Sequence, residues 1–130
     1  MKLPTLLSIV GVVATLFGIG FVAAPAEVLA EYGVTADRYT VFMSRLFGAT
    51  LIQVGVLSWL ARNIVDSLGR RAIVLSGLIA MLIGFVVSLH GMMNAIANAL
   101  GWSTVVIYAL FTIGFGYFQF RPKSKLEPTQ

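Results

Sequence analysis

Four long apolar runs constrain the fold of this chain more than any other feature. Each run is about 20 residues long, the length that a helix needs to cross the hydrocarbon core of a bilayer. Hydrophobic residues make up 58% of the 130 residues and charged residues only 11%, which is far from the composition of ordinary soluble domains. We therefore expect an all-α fold, an integral membrane four-helix bundle that forms a single domain over residues 1–120, with spans at about 5–24, 40–61, 72–93 and 103–120.

The first apolar run and the segment after it set the start of this bundle. The run resembles a signal peptide at first sight, but it is longer than a usual signal core, so we interpret it as the first span. The following stretch PAEVLAEY, residues 25–32, predicts a short interfacial helix in the first outer loop, with Pro25 in its first turn and Gly33 at its end. Thr35 or Asp37 is then expected to cap the second span.

Polar residues mark the ends of the third and fourth spans. His90, Asn94 and Asn98 are spaced four residues apart, so they form one polar row if the third helix continues to about Leu100. Ser103 is expected to cap the fourth span. Residues 121–130 are expected to form a disordered basic tail.

The distribution of lysine and arginine predicts the orientation. Seven basic residues fall on one side of the predicted bundle, whereas Arg38 is the only one in the opposite loops; the seven are Lys2, Arg62, Arg70, Arg71, Arg121, Lys123 and Lys125. By the positive-inside rule, we expect both termini and the central loop to be cytoplasmic. Glu27, Glu31 and Asp37 then lie outside.

Small residues recur at helical spacing, which is typical of close helix packing in membranes. In the first run, Ser8, Gly11, Thr15 and Gly18 share one stripe. We assign helix packing to seven glycines: Gly11, Gly18, Gly48, Gly55, Gly77, Gly84 and Gly91. So many small residues favour protein contact on more than one face, and a homodimer or another membrane protein is the partner we expect beside membrane lipid.

Arg45 is the first functional candidate because it lies inside the second apolar run. Arginine at the centre of a membrane span costs roughly 3 kcal/mol, so such charges usually face the bundle interior, a partner or a water-filled cavity. His90, Tyr108 and Thr104 are expected at a similar depth in the outer half, and Gln53 lies nearer the midplane. The carboxylates of the first outer loop are candidate counter-ions.

These positions predict an outward-facing pocket within the bundle that binds a hydrophobic or amphipathic molecule, such as a lipid or quinone. The predicted ligand-binding residues are Arg45, His90, Tyr108, Gln53 and Asn94. Structural interpretations remain open beside this one. Arg45 also suits snorkelling to headgroups or a structural ion pair, and the imidazole and amide side chains also suit hydrogen bonding between helices or at a helix end.

Several function classes are disfavoured. The chain has no cysteine, which excludes disulfides and thiolate metal sites. Its basic residues lie at span ends, which disfavours nucleic-acid binding. It has no phosphate loop, catalytic triad, metal-ligand spacing or cofactor motif, so we expect no cofactor and no enzyme. The alternatives to ligand binding are a structural accessory or assembly subunit of a membrane complex and, less favoured because every carboxylate lies in a loop or tail, a dimeric transporter.

Three stretches carry a resemblance to a known group. They are GIGFVAAPAEVLAEYGV, SRLFGATLIQVGVLSWLAR and GWSTVVIYALFTIGFGYF, with the outer-loop helix ending at Gly33 and the run from Arg45 to Gly48. The pattern resembles small uncharacterised bacterial four-helix membrane proteins near the DoxX-like group. This resemblance implies a four-helix bundle in a bacterial inner membrane. It implies no agreed activity and no catalytic residue.

Overall fold

The computed structural model describes residues 2–65 and 67–121, and within them it is built from helices without a strand. The helices are α1 (Leu3–Ala23), α2 (Pro25–Glu31), α3 (Arg38–Ala61), α4 (Leu68–Met93) and α5 (Gly101–Phe120). All except α2 are long and apolar enough to cross a membrane. The predicted all-α class, the four apolar helices and the short helix that begins at Pro25 are confirmed. The predicted tail beyond Arg121 lies outside the described residues.

Side-chain caps explain where α3 and α4 begin. The Asp37 carboxylate accepts a hydrogen bond from the Thr40 amide at 2.7 Å, as the sequence predicts. This bond lowers the pKa of Asp37, so the cap contributes stability above the ordinary carboxyl pKa and loses it as pH falls through the lowered value. Ser67 accepts from the Arg70 amide at 3.2 Å, and α4 therefore begins at Leu68, a turn earlier than predicted.

The cap predicted for the fourth span is wrong. Helix α5 begins at Gly101, and the Ser103 hydroxyl donates back to the Leu100 carbonyl at 2.6 Å. The turn that starts α5 is held instead by Asn98, whose side-chain oxygen accepts from the Leu100 amide and whose carbonyl accepts from the Gly101 amide. Because the side chain and the carbonyl of Asn98 satisfy these two early amides, the helix begins before Ser103.

The predicted polar row at the end of α4 is also wrong, because the helix ends at Met93. Ala95 has a φ of 54°, in the left-handed region, which turns the chain away from the helix axis. Asn94 caps this end: its amide donates to the His90 carbonyl at 2.8 Å and lies 3.3 Å from the His90 Nε2. Asn98 lies beyond the turn and has different partners.

The long helices form two antiparallel pairs, and the first is α1 with α3. Gly18 and Gly48 face each other so closely that a Cβ on either would lie 2.7 Å from the carbonyl oxygen of the other. Gly11 and Gly55 meet in the same way one heptad away. The glycine stripes of the two helices therefore bring backbone against backbone.

The second pair is α4 with α5, and its glycines receive side chains instead of backbone. A Cβ at Gly77 would lie 2.7 Å from the Phe115 ring, and one at Gly84 would collide with the Tyr108 ring. A Cβ at Gly91 would meet only Ile96, at 3.9 Å. Two of the three heptad-spaced glycines of α4 are thus seats for aromatic rings.

The two pairs join at their ends. At the end that holds the chain start, Leu6, Leu7 and Val10 of α1 form a buried cluster with Met81 of α4 and Phe115 of α5. At the other end, Asn98 donates from its side chain to the Glu31 carbonyl and from its backbone to the Tyr32 carbonyl, at 3.0 and 2.9 Å. Helices α3 and α4 follow each other in the chain but are not packed together.

Charge separates along the same axis. The antiparallel order puts Lys2, the α3–α4 link with Arg62, and Arg121 at one end, which we call the basic end. Glu27, Glu31 and Asp37 lie at the other end beside a single basic residue, Arg38, and we call it the acidic end. The pairs therefore meet in a tight core at the basic end and through a hydrogen-bonded bridge at the acidic end.

Candidate functional site

A cleft of about 550 Å³ lies between the two helix pairs. It begins above the core at the basic end, at Val10, Val54 and Phe111, and reaches Tyr32 and Ala97 at the acidic end. None of the described residues that form its wall is charged. The space exists because the pairs are tied at both ends but not packed against each other between them.

Aromatic rings form a large part of the wall. They come from α1, α3, α5 and the link after α2: Phe17, Phe21, Tyr32, Phe47, Tyr108 and Phe111. Phe21 and Phe47 pack edge to face, with ring centroids 5.4 Å apart. Rings held in this way give the cleft a stiff apolar surface.

The polar groups of the wall are five hydroxyls, and four of them already have partners. Thr50 and Ser88 donate to carbonyls of their own helices, at 3.2 and 3.1 Å. Thr104 donates to the Tyr32 hydroxyl at 3.3 Å, which joins α5 to the link after α2 across the acidic end of the cleft. The fifth, Tyr108, has no side-chain hydrogen bond among the residues that the structure describes. Tyr108 is thus the wall hydroxyl that has no hydrogen-bond partner within the described residues.

Helix α4 sets the position of Tyr108. The ring lies over Gly84, where any larger residue would occupy its place. Tyr108 follows the start of α5 at Gly101 by seven residues, which places it about 10 Å along the helix from the acidic end at 1.5 Å per residue. Its hydroxyl is therefore available well inside the bundle.

The cleft is open on the side between α3 and α4. Wall residues on these helices remain accessible, with Phe47 43% exposed and Val87 64% exposed. The wall residues of α1 and α5 are less exposed, and Val10 is completely buried. Because α3 and α4 are not packed together, a molecule beside the bundle reaches the cleft sideways.

The structure does not bring the five predicted ligand residues together. Tyr108 lies on the cleft wall, but Arg45 and Gln53 are exposed on α3 and do not line the cleft. His90 and Asn94 contact each other at the end of α4, also away from the wall.

Arg45 has no ion pair or hydrogen bond within residues 2–65 and 67–121, so the expected outer counter-ions do not reach it in this chain. Gln53 follows it by eight residues, with Ala49 halfway between them, and all three are exposed. This spacing puts them on one face of α3. The face is polar in a helix whose other exposed residues are largely apolar.

Sequence reasoning missed the bridge at the acidic end and the apolar wall of the cleft. Asn98 was expected to extend a helix, and Tyr32 was expected only as the last residue of the short interfacial helix. Both instead bind residues distant in the chain, Asn98 the Glu31 carbonyl at the end of α2 and Tyr32 the Thr104 hydroxyl of α5. No local pattern indicates these contacts because the partners are more than 65 residues apart.

Comparison with known proteins gives a family and no activity. The chain belongs to a family described as a domain of unknown function, DUF8292, whose profile matches residues 2–128. No curated protein and no solved structure matches the chain.

Proposed function

We propose that this member of the DUF8292 family is a multi-pass membrane protein that binds one hydrophobic or amphipathic molecule in the cleft between its helix pairs. The observation that carries the proposal is the uncharged wall around about 550 Å³ of space. Pockets for small molecules span about 300–1,000 Å³ and have mostly apolar walls with a few polar groups. The cleft has this size and this composition.

The outer surface of the bundle supports its insertion in a membrane. Large apolar side chains are exposed along all four long helices, among them Leu16, Leu60, Val87 and Ile113, each more than half exposed. Such a surface suits the hydrocarbon layer, where each backbone group bonds within its own helix. The charge separation supports a basic end in the cytoplasm, and a bacterial inner membrane is the location that we propose.

The direction of the opening supports entry from the membrane. The gap between α3 and α4 faces sideways, toward the region that lipid tails occupy around such a bundle. A water-soluble ligand needs an aqueous mouth, whereas a lipid moves into this gap without leaving the hydrocarbon layer. A membrane lipid or a lipid-like molecule is therefore the ligand class that we propose.

A variant that fills the cleft tests the proposal. Ala80 of α4 lines the cleft and is exposed to it, so Ala80→Phe puts a ring into the empty space. Ala72→Phe is the matched control, since Ala72 is exposed on the same helix and does not line the cleft. Native mass spectrometry in mild detergent is expected to show a bound lipid mass on the wild type and on Ala72→Phe but not on Ala80→Phe.

Arg45→Ala adds a second arm to this experiment. Because Arg45 does not line the cleft, the bound mass is expected to remain in this variant. Loss of the bound lipid mass with Arg45→Ala would instead support ligand binding at Arg45, as predicted from the sequence. An unliganded wild type, even after incubation with lipid, would contradict the cleft proposal altogether.

A second candidate function, an assembly subunit, is favoured by the polar face of Arg45, Ala49 and Gln53. An exposed arginine in a membrane helix is stabilised by a polar partner or by snorkelling to headgroups. The glycines of α4 are less suited to docking because Phe115 and Tyr108 already cover Gly77 and Gly84. Blue native electrophoresis after mild extraction is expected to show a larger complex that Arg45→Leu with Gln53→Leu dissociates. A complex unchanged by this double variant would contradict the assembly function.

A further inference from the structure

We propose that the hydroxyl of Tyr108 is the recognition group of the cleft, and that the ligand is a neutral lipid whose head offers a hydrogen-bond acceptor such as a carbonyl. This inference rests on the proposed binding of a hydrophobic molecule in the cleft. In this inference Tyr108, and not Arg45, makes the polar contact with the ligand, and the site selects a ligand by the absence of charge on its head.

The first argument is the absence of compensating charge. Among the wall residues in ranges 2–65 and 67–121 there is no lysine, arginine, histidine or carboxylate. Tyr108 lies about 10 Å along α5 from the acidic end, so a head group that reaches it leaves the headgroup layer. An ion moved to an apolar site without a partner loses far more solvation than a neutral carbonyl does. The wall therefore discriminates against anionic and cationic heads.

The second argument is the state of the hydroxyls. Thr50, Ser88 and Thr104 each donate to an acceptor of the protein, and the Tyr32 hydroxyl is the acceptor for Thr104. The Tyr108 hydroxyl has no such partner in the described part of the chain, and a phenol in the wall of an apolar cleft is stabilised by one. A ligand carbonyl supplies the acceptor that the wall lacks.

The third argument is that the ring is already in position. Gly84 forms the seat of the Tyr108 ring, and Met81, one turn earlier on α4, also lines the cleft and is buried. A side chain held by its neighbours loses little conformational entropy when it binds. The donor thus meets the ligand in the place where the fold holds it.

Three probes with the same chain length separate the contributions of charge and hydrogen bonding. They are a long-chain n-alkane, the corresponding fatty acid methyl ester, and the free fatty acid at pH 8, where its carboxyl group is ionised in water. Native mass spectrometry titrations of the detergent-solubilised protein give a dissociation constant for each probe. The ester is expected to bind about three to ten times more tightly than the alkane, the factor that one net hydrogen bond supplies. The acid is expected to bind more weakly than the ester.

Tyr108→Phe tests the role of the hydroxyl, since it keeps the ring over Gly84 and removes only the donor. It is expected to abolish the preference for the ester over the alkane and to leave alkane binding unchanged. Tyr117→Phe is the matched control: Tyr117 is on the same helix, is exposed and does not line the cleft. This control is expected to keep the wild-type preference.

The outcomes distinguish this inference from the proposed function. An ester preference that survives Tyr108→Phe, or an acid that binds as tightly as the ester, would overturn the role of Tyr108 while leaving a lipid-binding cleft. Failure of the wild type to bind any of the three probes would overturn the cleft function, and the inference would fall with it.

Discussion

The two helix pairs use glycine in opposite ways. In the α1–α3 pair, Gly18 and Gly48 place backbone against backbone, whereas in the α4–α5 pair Gly84 receives the ring of Tyr108. A carbonyl oxygen of a helix cannot move without breaking the helix, but an aromatic ring can rotate about its side-chain bonds. The first pair therefore cannot accept an added atom unless its helices separate, and we call it the rigid pair. The second pair accepts one at Gly84 by displacing the Tyr108 ring that is otherwise held there, and we call it the adjustable pair.

Burial follows the same division. Seven residues of α1 are buried, but only two of α4, although α4 is the longer helix. Helix α4 thus has packed neighbours on a narrow face, which leaves its remaining surface to the cleft and the surroundings. A bundle with one firmly packed pair and one flanking pair keeps a space between them without losing its fold.

The largest expected effect is on the rigid pair. In Gly18→Ala the new Cβ lies 2.7 Å from the Gly48 carbonyl oxygen, so the helices must separate. We expect a loss of about 1–3 kcal/mol in the free energy of unfolding, the usual range for overpacking. Gly20→Ala on the same helix is the control, because its Cβ meets only Val28 at 3.4 Å. Unfolding in a denaturant series in detergent measures both, and equal stabilities would show that the backbone contact is not tight.

The next effect concerns the adjustable pair. Gly84→Ala is expected to displace the Tyr108 ring, and to reduce stability by less than Gly18→Ala because a side chain yields more easily than a backbone. When Tyr108→Ala has already removed the ring, Gly84→Ala is expected to cause little further loss in the free energy of unfolding. A double-mutant cycle measures this coupling. Additive effects of the two substitutions would contradict direct packing of the Tyr108 ring over Gly84.

The bridge at the acidic end is expected to have a smaller effect on stability and a clear effect on spacing. Asn98→Ala removes the bond to the Glu31 carbonyl, worth about 0.5–1.5 kcal/mol, and should widen the cleft at that end. Since the chain has no cysteine, spin labels on Ala26→Cys and Ala99→Cys report the distance between the pairs.

Asn94→Ala is the control for this distance measurement, because the Asn94 amide bonds only to His90 in the described structure. Its label distances are expected to match those of the unsubstituted labelled protein. A longer label distance in both Asn98→Ala and Asn94→Ala, or in neither, would show that Asn98 does not hold the two pairs together.

The smallest effect is expected from the outer face of α3. Arg45→Gln leaves both helix pairs and the cleft untouched, so the free energy of unfolding of the monomer should change by no more than about 0.5 kcal/mol. The same denaturant series measures it. A change as large as that of Gly18→Ala would place Arg45 in the packing of the fold.

Local features were largely predictable from the sequence. The length of each apolar run predicts its helix, Pro25 and Gly33 predict the limits of the short helix, and Asp37 predicts a cap. Gly33 has a φ of 74°, a conformation that glycine adopts without strain. These features depend on a few consecutive residues, so they could be inferred without knowing the neighbours of any helix.

The direction of each polar side chain was not predictable. A soluble helix shows its buried face by an apolar stripe, but these helices are apolar on all sides, so periodicity does not say which side faces the bundle. Arg45 was therefore a candidate both for an interior pocket and for snorkelling to headgroups, and in the structure it is exposed on α3 and does not line the cleft. Tyr108 was assigned to the same pocket, and it lies on the wall of the cleft.

By itself the sequence determined that the chain forms four long apolar helices and a short one, and that basic residues gather at one end. Only the tertiary structure decided that α1 pairs with α3 and α4 with α5, that α3 and α4 stay apart, and that an uncharged cleft with Tyr108 in its wall remains between the pairs. The physical reason is that helix formation depends on local backbone bonds and composition, whereas pairing depends on shape complementarity between residues distant in the chain.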